Sequence, residues 1–165
     1  MAKIPEVYLG VDPGASGGLA ALWPGKTVVS PMPDLENELW EWLSRYSARN
    51  GVIHGFCCTA ILEKVGGYIP GSRGNIGSAM FKFGQFYGTL RGMLVAADIP
   101  FVEVAPTRWQ NYFYLKSRPS ESKPQFKRRL KEKAQEIFPG LKVTLATADA
   151  LLIAEYYRRK WGEKS

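Results

Sequence analysis

Three short apolar runs near the N-terminus, separated by turns too tight to hold a helix, leave little choice of topology. Residues 7–11 (VYLGV) end at Asp12, and Pro13, Gly14, Gly17 and Gly18 turn the chain into residues 19–23 (LAALW). Pro24-Gly25 turns it again into residues 27–30 (TVVS). Such runs joined by such turns read as an antiparallel meander. Asp34 is a candidate cap for a helix to about Arg49, with Leu35, Leu39, Trp42, Leu43 and Tyr46 at helical spacing. Its acidic residues cluster in the first two turns, where the helix dipole favours them. Residues 52–65 contain a fourth strand, clearest over 59–65, and the glycine-rich residues 66–77 form a loop. Residues 78–97 read as a helix with Phe81, Phe86, Leu90, Met93 and Leu94 as a buried stripe, and residues 101–104 as a fifth strand. A helix or turn begins at Pro106, and residues 116–124 (KSRPSESKP) read as an exposed, mobile loop. Residues 126–138 form a basic helix stopped by Pro139-Gly140, and residues 147–159 a largely buried last helix. Three hairpin-joined strands followed by αβαβα predict an α/β fold, a mixed sheet with helices on both faces. At 165 residues and 45% hydrophobic, the chain fits one domain, residues 1–165.

Several classes fall away. No apolar run reaches the length of a membrane-spanning helix, about 18 residues. The first residues lack the apolar core of a signal peptide, so the expected location is intracellular. Cys57 and Cys58 are neighbours in a strand-like run and point to opposite faces, which argues against a disulfide between them. With one histidine and two cysteines, a thiolate or imidazole zinc site is excluded.

Charge is uneven. Residues 1–110 carry equal numbers of acidic and basic side chains, and the whole net charge of +7 falls in residues 111–165. A basic block on an otherwise neutral domain suits a polyanion, though a solvated lysine-rich face is the plain alternative. Lys116, Arg118, Lys123, Lys127, Arg128, Lys131 and Lys133 are candidates for the phosphates of such a partner. In the glycine-rich loop, Tyr68, Arg73 and Asn75 are candidate contacts for such a partner, with Tyr68 able to stack on a base if it is a nucleic acid, and a mobile surface loop is the plain alternative. Trp109 and Tyr112 read as packing residues.

Three acids sit in apolar surroundings. Asp12 ends the first strand, Glu63 lies within the fourth, and Asp149 lies in the ADALL run of the last helix. An ionised carboxylate there is costly unless paired or bound to a cation. Three that converge at one sheet edge repel, and a divalent ion with hard oxygen ligands, Mg²⁺ or Mn²⁺, removes the repulsion. Each also has a local explanation: a turn residue for Asp12, an ion pair with Lys64 or a helix lysine for Glu63, a helix cap for Asp149. The glycines after Asp12 fit neither GxxxxGK[ST] nor GxGxxG, but a strand, an aspartate and a glycine hairpin leave a nucleotide-binding phosphotransferase open.

Residues 7–18 (VYLGVDPGASGG), 60–65 (AILEKV), 102–110 (VEVAPTRWQ) and 148–156 (ADALLIAEY), in this order, resemble a RuvC-type Holliday junction resolvase of the RNase H-like fold. The phage and organelle-type branches are nearer than the bacterial cellular one. The resemblance implies a five-stranded mixed β-sheet flanked by α-helices. It also implies a Mg²⁺-dependent endonuclease that nicks four-way DNA junctions symmetrically as a homodimer. Asp12, Glu63 and Asp149 match its catalytic, metal-binding acids. Two ions about 3.5–4 Å apart would stabilise the attacking water and the leaving 3′ oxygen, with Asp12 between them. The homodimer would meet through the aromatic helix 78–97. The implied setting is cytoplasm or nucleoid, in a phage-infected cell or an organelle. One departure stands out: the family's fourth ligand, three residues before the last aspartate, is Ala146 here. That keeps a second reading open, a junction-binding protein of this fold that has lost activity.

Overall fold

The computed structural model describes residues 4–66 and 76–162. Its centre is a five-stranded sheet: β1 (Glu6–Asp12), β2 (Gly18–Trp23), β3 (Lys26–Pro31), β4 (Cys57–Glu63) and β5 (Phe101–Val104), in the order β3-β2-β1-β4-β5. The first three strands are an antiparallel meander, while β4 runs parallel to β1 and β5 parallel to β4. The carboxyl ends of β1, β4 and β5 therefore share one edge. The remaining elements are α1 (Glu36–Ser44), α2 (Ala48–His54), α3 (Ile76–Ala96), α4 (Pro106–Tyr112), α5 (Lys123–Ile137) and α6 (Leu145–Trp161).

Strand alternation splits the core in two. Val7, Leu9 and Val11 of β1, with Cys58, Ala60 and Leu62 of β4, pack against Leu39, Trp42 and Leu43 of α1 and Leu90 and Leu94 of α3. Tyr8 and Ile61 point the other way, among Trp109 of α4, Leu130 and Ala134 of α5, and Leu151 and Ile153 of α6. Cys58 is buried and Cys57 exposed, and both are free thiols. No helix among the described residues is long and apolar enough to cross a membrane.

The structure differs from the sequence reading at helix boundaries. The helix expected from Asp34 to Arg49 is two helices. Leu35 holds the N-cap position of α1 without a side-chain bond, and Ser47 caps α2 by accepting from the Asn50 N–H at 3.3 Å. Val52 and Ile53 belong to α2 and are exposed, so the fourth strand begins only at Cys57. In α5 the basic helix starts at Lys123, because Ser122 and Gln125 form a capping box and Pro124 is tolerated in the first turn. The loop before it is exposed but fastened: Arg129 donates to Glu121 Oε1 at 2.6 Å and to the Lys116 carbonyl at 2.8 Å. Thr144 caps α6, which excludes a capping role for Asp149. Phe81, expected in the buried stripe of α3, is 67% exposed.

Candidate active site

The parity that places Tyr8 on the α6 face places Gly10 and Asp12 there too, and Ile61 does the same for Glu63. The parallel register sets Val11 beside Leu62, so Asp12 and Glu63 emerge from adjacent strand ends. Ligands of open α/β sheets bind at such carboxyl edges. Asp149 arrives from α6, which can lie against the sheet because two glycines lack side chains. A Cβ at Gly10 would overlap the Ala150 carbonyl oxygen, and one at Gly18 would overlap that of Ala146.

The three acids sense one another. Burial, then the charges of Asp149 and Glu63, push the Asp12 carboxyl up to about 8, against the opposing charge of Lys127. Burial likewise raises Glu63 to about 7, opposed by a hydrogen bond from Trp109. Burial raises Asp149, and Lys127 pulls it back down. Asp149 is 4% exposed; its Oδ2 accepts from Lys127 Nζ, and its Oδ1 is buried with no partner. No group of three His, Cys, Asp or Glu side chains among the described residues is arranged as a ready ligand shell for a metal.

Two participants escaped sequence reasoning. Trp109, read as packing, is fully buried and donates its indole N–H to Glu63 Oε1 at 3.0 Å, orienting that carboxylate. Lys127, read as one of seven phosphate contacts, reaches into the acid cluster. The others, Lys116, Arg118, Lys123, Arg128, Lys131 and Lys133, lie on α5 or the loop before it, and Lys133 pairs with Glu136 at 2.8 Å. Tyr68, Arg73 and Asn75 fall outside the described residues.

Raised carboxyls set a pH dependence with a definite sign. Between their ordinary values, 3.8 for Asp12 and 4.5 for Glu63, and the folded values of about 8 and about 7, the folded protein holds protons that the unfolded chain releases. The stabilisation from these groups is present in full below about pH 4 and is lost as pH rises toward 8. Melting temperatures in EDTA should therefore fall from pH 5 to pH 8 more steeply in the wild type than in Asp12→Asn. Parallel profiles would show that the site contributes nothing to the slope.

No protein-family model and no curated protein sequence matches the chain. Solved structures do match. The RuvC structure from Thermus thermophilus aligns over 93% of this chain and 95% of its own, with 16% identity and a TM-score of 0.50. The T. thermophilus RuvC in complex with Holliday junction substrate aligns over 94% and 96%, with 21% identity and a TM-score of 0.54. The yeast mitochondrial Holliday junction resolvase Ydc2 aligns over 92% of this chain and 77% of its own, with 16% identity and a TM-score of 0.45. Sheet order, flanking helices and near-complete alignment agree: the chain has the RuvC-type, RNase H-like fold over almost its whole length.

Proposed function

We propose that the chain is a metal-dependent endonuclease selective for four-way DNA junctions. One observation carries the reading: on a RuvC-type fold, Asp12, Glu63 and Asp149 come from three separate elements to one sheet edge, where Asp149 keeps a buried oxygen without a partner. The donors fit a hard divalent ion, Mg²⁺ or Mn²⁺, being carboxylate oxygens only. Asp12, Glu63 and Asp149 would hold it. When bound, the ion acts as a Lewis acid on the phosphodiester and lowers the pKa of the attacking water. Trp109 fixes the Glu63 carboxylate, and Lys127 balances Asp149. No covalent nucleophile is needed.

The cations of α5 and its preceding loop, on the helix that brings Lys127 to Asp149, would supply phosphate contacts, which recognise shape rather than base sequence. The T. thermophilus relative was solved with a Holliday junction substrate, in keeping with a branched-DNA partner. Such a substrate belongs in cytoplasm, nucleoid or organelle. A junction has two strands to cut, which favours a C2 homodimer. α3 offers the contact: Phe81 and Val95, 67% and 69% exposed, share one helix face with Gly84, Gly88 and Gly92, where an added Cβ would meet nothing within 4 Å. Sedimentation with and without DNA reads this directly, and a monomer in both removes the dimer.

The deciding experiment incubates the protein with a labelled four-way junction and Mg²⁺. Paired symmetric nicks are expected; ATP turnover without junction binding would replace the reading with a phosphotransferase. A second reading, junction binding without cleavage, is favoured by Ala146, which offers no ligand, and by the Lys127 contact that occupies Asp149. Binding should also weaken steeply between roughly 50 and 200 mM salt. A flat salt response measured by gel shift would contradict phosphate contacts on α5.

A further inference from the structure

We propose that Lys127 is a built-in cation of this site, standing where a second divalent ion would otherwise sit, so that the DNA-free protein takes one ion rather than two. The inference rests on the reading of Asp12, Glu63 and Asp149 as metal ligands and specifies how many ions they accept.

The Lys127 ammonium holds Asp149 Oδ2, and Asp149 offers only its bare Oδ1 to anything else. The Asp149 side chain is 6% exposed, so water cannot screen its charge and a cation must stand beside it. The same ammonium acts on Asp12 and Glu63, which places it within electrostatic reach of the whole cluster. The other acid of α6 among the described residues, Glu155, is taken up by Arg158 and Arg159. Residue 146 lies one helical turn before Asp149, on the same face, and is alanine with its carbonyl packed against Gly18.

The lysine is not a stray surface arm. It projects from α5, whose Leu130 and Ala134 are buried in the α6-side core. The start of α5 is fixed by the Ser122–Gln125 capping box, and Arg129 ties the preceding loop to the helix. The chain therefore delivers one positive charge to a set position, as a bound ion would. Charge balance points the same way. Three ionised carboxylates, one ammonium and one divalent ion sum to zero, whereas a second ion would leave the buried site with two positive charges in excess.

The test is a Mn²⁺ titration of the full chain without DNA at pH 8, with free Mn²⁺ read by electron paramagnetic resonance. Wild type is expected to bind one ion per chain. Lys127→Met and Lys127→Gln are expected to bind two, and Lys127→Arg, which keeps the charge, one. Two ions in the wild type, or one in every chain, overturns the inference while leaving the metal-ligand reading intact. No bound Mn²⁺ in any chain overturns that reading, and the inference with it. Because the wild-type count alone can decide against the inference, it stays exposed even where a variant fails to fold.

Discussion

Asp12→Asn is expected to bind a four-way junction as tightly as the wild type and to lose cleavage by at least about 10²–10³-fold, the scale on which single charge-stabilising groups act. The substitution keeps the shape of the side chain and removes its negative charge at the end of β1, where the charges of Asp149 and Glu63 act on it. Binding is expected to survive because the candidate phosphate contacts lie on α5 and its preceding loop. The fold is expected to survive because a buried group under like-charge repulsion is being neutralised. Gel shift in Ca²⁺ and nicking in Mg²⁺ separate the two properties. Equal loss of both would make Asp12 a structural residue and end the case for a metal-dependent cleavage centre at this edge.

The acids were legible because charge inside apolar runs is conspicuous. Asp12 closes a run of buried strand residues, Glu63 follows Ala-Ile-Leu, and Asp149 interrupts the mostly apolar first half of the last helix. The meander and the parallel pair were legible too, since turn chemistry at Pro13-Gly14 and Pro24-Gly25 and an intervening helical segment dictate them. What local pattern does not encode is the outcome of packing. The chain from Asp34 to Arg49 has continuous helical spacing, yet Ser47 forms its own cap and starts a second helix. Lys127 has the same kind of neighbours as Arg128 and Lys131, and only the seating of α5 on α6 selects it for Asp149. Trp109 looks like any buried aromatic until its N–H is seen to meet a carboxylate forty-six residues earlier in the chain. Partners chosen by tertiary geometry leave no trace in periodicity.

Gly10 is where sheet, helix and site depend on one another, and Gly10→Val is expected to destabilise the protein by about 3 kcal/mol or more. At this chain length that corresponds to a fall in melting temperature of roughly 6–12 °C. Valine suits a strand better than glycine does, and Gly10 does not have a positive φ, so the backbone itself raises no objection. The obstacle is α6. A Cβ at residue 10 would overlap the Ala150 carbonyl oxygen and stand 2.9 Å from both the Ala150 carbonyl carbon and the Ala154 Cβ. The neighbouring atoms are helix backbone and a methyl group, neither of which can rotate aside, so α6 must lift from β1 or the strand must bend. Either movement carries Asp149 away from Asp12 and Glu63. Any folded fraction of Gly10→Val should therefore bind Mn²⁺ more weakly than wild type at the same pH, although none of the acids has changed. A variant with unaltered melting temperature and unaltered Mn²⁺ affinity would mean that the close seating of α6 on β1 does not hold in solution, and that Asp149 reaches the edge by some other route.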